Sequence, residues 1–323
     1  MVDFDLGWFD PQLHAAVSAV YSGDPVPAVD LVASTCGDWA RHELVVDVLG
    51  PVSLAVFDEI PDRPGAALLR ASALCAAGWE TRGAGLAADI DQDQFQGMAD
   101  YLADARECVA EAAAADPADP VPWSVLLSCA IPLPTDPEEP GRAYLAVVSR
   151  FPGLYSATVN RLISLTPRWY GSLEEMYGFA TAHVEDLPDG DPLLALVPAA
   201  HIEGHVQDSV DQSTRPAAGG RWRLRAPREG AHLRDWGVIA EVDAASDRLL
   251  AGPGTLPHPR SMTAHQVFAA FYLAVEMHGG GSPVGRTRLA RHIANAGPGP
   301  VTWPWAYFGD QQKLFELAHS VRP

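Results

Sequence analysis

Lysine is almost missing from this chain. Lys313 stands alone, and arginine supplies the rest of the 22 basic side chains. Against them stand 41 acids, for a formal charge of −19. Residues 1–160 hold 24 acids and seven arginines (net −17), whereas 161–323 hold 17 acids and 15 bases (net −2). So acidic a first half repels phosphate backbones and anionic lipid, which argues against a nucleic-acid partner and against a membrane partner. Cysteine is scarce too. Cys36, Cys75, Cys108 and Cys129 lie far apart with no CxxC pair, and each sits in an apolar helical context that predicts a buried thiol. No apolar run of about 18 residues exists to span a bilayer. The opening MVDFDLGWFD carries acids where a secretory leader needs basic residues, so the expected location is cytoplasmic. GxSxG is absent, and the glycine pairs lack the strand, helix and lysine of a phosphate loop.

What is abundant is punctuation. The 28 prolines and 28 glycines divide the chain into short stretches in which Leu, Val and Ala recur at helical spacing. Asp10-Pro11 reads as a cap followed by proline at the first helical position, and Asp38 as the cap of WARHELVVDVLG, which Gly50 ends. Continued along the chain, this predicts thirteen or fourteen helices and no strand. The expected class is all-α.

Three junctions recur. Asp116-Pro117, Phe151-Pro152 and Leu187-Pro188 each close one helix and open another, at separations of 35 and 36 residues. At the first of them Ala105, Ala112 and Pro117, followed by Trp123 and Leu126, resemble the signature of tetratricopeptide-type repeats, although Leu127 replaces the usual small residue. Further phrases, LTPRWYGSLEEMYGFA (165–180), LVPAAHIE (196–203), SMTAHQVFAAFYLA (261–274) and VTWPWAYFGD (301–310), are similar to an uncharacterised bacterial helical-repeat family from high-GC genomes. The resemblance implies a tetratricopeptide-like solenoid of antiparallel helix pairs over 91–323, behind an irregular helical N-terminal segment at 1–90. It implies no activity.

Such a stack presents a concave face, and the leading functional expectation is a scaffold that binds a protein or peptide. Polar residues on the helices after the Pro junctions are the candidates for that groove: Asn160, Arg161, His201, His205 and His265, with Arg168 at its edge. The alternative is a tailoring or hydrolytic enzyme with a pocket near His201, His205 and His265, metal-dependent if the three histidines share an ion. His201 and His205 share a helix face, but Glu203 lies about 200° around from His201 and cannot act as base at the same ion. The expectation is therefore no metal and no cofactor. The arginine-rich segment 212–230 is expected to be a loop, and the aromatics of 169–170 and 303–308 to fill joints between helices.

Overall fold

The computed structural model describes residues 10–58, 60, 63–83, 90–214, 230–252 and 258–322. Among them the chain is all-helical: fifteen α-helices, short 3-10 turns and no strand. None of these helices is long and apolar enough to cross a membrane. Most of the arginine-rich segment, residues 215–229, lies outside the described residues. The contacts divide the chain into two compact units, 1–161 and 162–323.

In the first unit α1 (Pro11–Tyr21) starts where Asp10 accepts hydrogen bonds from the Gln12 and Leu13 amides at 3.1 and 3.2 Å. Burial works to raise the Asp10 pKa, but the Arg41 guanidinium and those amides outweigh it and hold the carboxyl below its usual value. Next come α2 (Val26–Ser34), α3 (Trp39–Leu49), the single turn α4 (Leu54–Asp58) and α5 (Ala66–Arg82). The sequence reading misses α4. Helix α6 (Gln92–Ala115) opens on a reciprocal cap between Asp91 and Gln94 and packs along α5, where Gly78 lets the two approach at Leu102. Because α5 and α6 flank residue 90, the expected boundary there runs through one packed pair. Helices α7 (Val121–Ala130), α8 (Glu139–Val148) and α9 (Tyr155–Ser164) follow the proline joints.

Buried leucines and valines from α1 to α9 form the first unit's core, including Leu13, Leu44, Leu69, Leu102 and Leu154. Tyr155 is buried, and Trp123 is half-buried beneath the Arg150 guanidinium, 5.0 Å from the ring centre. Cys75 and Cys129 are buried and Cys108 is half-buried, but Cys36 is exposed. That corrects the reading of uniformly buried thiols: Cys36 falls in the turn after α2, off the packed face.

The second unit contains α10 (Leu173–Val184), α11 (Leu196–Thr214), α12 (Trp236–Ala251), α13 (Ser261–Met277), α14 (Pro283–Ile293) and α15 (Gln311–Ser320). Its centre is α13, buried from Thr263 to Val275 except for His265 and in contact with α11, α14, α15 and the turns at 192–195 and 232–234. A helix apolar on nearly all sides belongs in a core. Its one fully buried amide, Gln266, uses its whole hydrogen-bonding capacity on a single loop. Nε2 donates to the Ala296 and Gly299 carbonyls at 2.7 and 2.9 Å, and Oε1 accepts from the Val301 amide and the Trp305 indole at 2.8 and 2.9 Å. This fixes the loop that carries the aromatics of 303–308.

Candidate functional site

The six residues expected to line a groove occupy several environments. Asn160 is half-buried on α9 and donates to the Ser128 hydroxyl at 3.4 Å. Arg161, also half-buried, holds its guanidinium 3.8 Å from the space where Gly141 lacks a side chain. Both belong to the first unit. Arg168, His201, His205 and His265 belong to the second.

Arg168 lies in the 3-10 turn Pro167–Trp169 and forms an ion pair with Glu203. Glu203 is 1% exposed. Its other oxygen accepts from the Tyr307 hydroxyl at 3.0 Å and the Trp303 indole at 3.4 Å, while the Arg168 guanidinium lies 5.4 Å from the Tyr307 ring centre. Burial and the Glu203 charge push the Tyr307 pKa well up, so its hydroxyl stays a donor. One buried carboxylate thus ties the turn at 167–169 to the loop at 303–307. Just beyond Arg168, Tyr170 takes a left-handed backbone (φ 79°) and is 72% exposed. Gly171 follows because a Cβ there would overlap the Leu165 backbone. A bulky residue in this region is strained, and such strain collects at functional positions.

His201 points the other way around α11. Its Nε2 donates to Glu241 at 3.0 Å, and its Nδ1 lies 3.1 Å from His232 Nε2. The Tyr177 hydroxyl is 3.2 Å from that same His232 nitrogen. Burial and the neighbouring imidazole lower the His201 pKa to about 4, and burial lowers that of His232 as well. Both rings are therefore neutral at pH 7. The approach depends on Gly204, one turn along from His201: a Cβ there would overlap the Tyr177 oxygen and meet His232 Nε2 at 3.5 Å.

Compared with family models, with curated proteins and with solved structures, the chain matches none.

His205, one turn after His201, packs instead against His278 (ring centres 5.0 Å apart) and stacks on Phe308. His265 joins neither. Its Nδ1 meets His292 Nδ1 at 2.8 Å, and His292 Nε2 meets the buried Ser246 hydroxyl at 2.8 Å. The three histidines expected to converge on one pocket thus have separate partners, and among the described residues no three His, Cys, Asp or Glu side chains gather to hold a metal. Sequence reasoning did not find Tyr177, His232 and Glu241, nor the partners of Glu203. Sequence separations of 31 to 104 residues leave no local pattern to read. It did place Glu203 away from the histidine face, and the partners of the two side chains agree with that.

Proposed function

We propose that this chain is a helical-repeat binding protein, and that a protein or peptide partner docks on the Arg–aromatic edge formed by Arg168, Tyr170 and Tyr307. The observation that carries this reading is Tyr170: strained, 72% exposed and set beside a turn locked by a buried ion pair. Tyrosine and arginine held rigid at a surface lose little entropy on binding, and they are enriched among the residues that dominate interface energy. A side chain with no partner would be easier to place with ordinary backbone angles. Short proline joints after α6, α8 and α10 support the repeat organisation, which supplies a rigid support for such an edge.

The enzyme alternative needs a pocket shared by His201, His205 and His265, and their separate partners give it less support. Panning a displayed random-peptide library against the folded chain tests the binding reading. It should select a common motif whose capture fails with Tyr170→Ala; no motif, or capture indifferent to that change, would refute it.

A further inference from the structure

The two histidine pairs of the second unit differ in whether their hydrogens can be assigned. Around His292 the assignment closes. Arg288 donates to Ser246 Oγ at 3.4 Å, and that hydroxyl can donate to His292 Nε2. His292 Nδ1–H then donates to the His265 Nδ1 lone pair. Each of these three contacts then has one donor and one acceptor.

Around His232 the assignment fails. Glu241 is a carboxylate and only accepts, so His201 must carry its hydrogen on Nε2 and present a bare lone pair at Nδ1. If His232 Nε2 carries a hydrogen, it can donate to that lone pair, but the Tyr177 O–H then has no acceptor. Tyr177 Oη has no other hydrogen-bond partner among the described residues. If His232 Nε2 is bare, Tyr177 can donate to it, and two imidazole lone pairs face each other at 3.1 Å. Either state leaves the half-buried Tyr177 hydroxyl without a protein acceptor or sets two lone pairs face to face. The three ring systems still converge, with centres 5.2 to 6.1 Å apart. Gly204 gives up a side chain to let them do so.

A cation bound by all three atoms removes the conflict. We propose that His201 Nδ1, His232 Nε2 and Tyr177 Oη form a site for a divalent cation of the zinc class, open to a further ligand. The spacing fits. Zn–N bonds of about 2.0–2.1 Å at tetrahedral angles separate neighbouring ligand atoms by about 3.3 Å, and the two separations from His232 Nε2, to His201 Nδ1 and to Tyr177 Oη, are 3.1 and 3.2 Å. The surroundings fit as well. Glu241 accepts the distal N–H of His201, an outer carboxylate that fixes the tautomer and orients a metal-bound imidazole. The same carboxylate places a negative charge next to the site. With a phenol as third donor, the set lies outside the His, Cys, Asp and Glu combinations, and it departs from the sequence expectation that the chain takes no cofactor. It is independent of the Tyr170 edge.

The test is calorimetric titration of the chelator-treated full chain with ZnCl2 in a non-coordinating buffer. One equivalent should bind, with a rise in melting temperature. Tyr177→Phe and Glu241→Gln keep the packing and should weaken affinity at least tenfold, and His201→Ala should abolish it, while His265→Gln leaves it unchanged. Absence of stoichiometric binding in the wild type overturns the proposal. So does binding that Tyr177→Phe and Glu241→Gln leave intact, since the ion would then sit elsewhere. Those two variants decide the matter even if His201→Ala fails to fold.

Discussion

Glu43 is a charge with 0% exposure, which is stable only if other groups satisfy it. Its oxygens accept from the Ser156 and Ala157 amides at 3.0 and 3.2 Å and from the Ser124 hydroxyl at 3.4 Å. A carboxylate on α3 thus caps the first turn of α9 from 113 residues away in sequence. Glu43→Gln replaces one acceptor oxygen by a donor facing N–H groups, and chemical denaturation should show a loss of roughly 2–3 kcal/mol. His265 gives a pH-dependent case. Burial lowers its folded pKa to about 4, below the ~6.5 of the unfolded chain. The unfolded state therefore binds more protons between those values, so this contribution is complete above about pH 6.5 and is lost as pH falls toward 4. Between pH 7 and 5 the loss is on the order of 2 kcal/mol. Urea titrations at the two pH values should show it in the wild type and a smaller difference in His265→Gln. Equal differences would mean that the imidazole is not buried as described.

At the scale of the element, two glycines inside helices make opposite predictions. Gly178 on α10 has open space where a Cβ would go, whereas at Gly204 on α11 it would overlap Tyr177. Gly178→Ala should stabilise by about 1 kcal/mol through helix propensity. Gly204→Ala gains the same propensity but overpacks the cluster, at a cost of about 1–3 kcal/mol, and should come out less stable than the wild type in the same melts. The sequence marks both residues as mid-helix glycines and cannot tell them apart. Local chemistry, in contrast, was legible: the Asp10 and Asp38 caps and the proline joints at 117, 152 and 188 lie at helix boundaries. What could not be read was α4, five residues with too few turns to show a period. The site partners were hidden for a different reason. Whether His265 meets His201 or His292 depends on how α11, α12 and α14 pack on α13, and periodicity shows which face is apolar but not which helix covers it.

Across the whole molecule, charge is unevenly divided. Residues 1–161, the first unit, hold 24 acids and eight arginines, while the second unit is close to neutral and carries the strained Tyr170. As the proposed anchor of a partner, Tyr170 should affect binding and stability differently. The decisive measurement is the affinity of the library-selected peptide for the wild type and for Tyr170→Ala, with melting temperatures recorded beside it. Tyr170→Ala should lose about 30-fold or more, the size of an interface hot spot, with the melting temperature within a few degrees of the wild type. Unchanged affinity would contradict it.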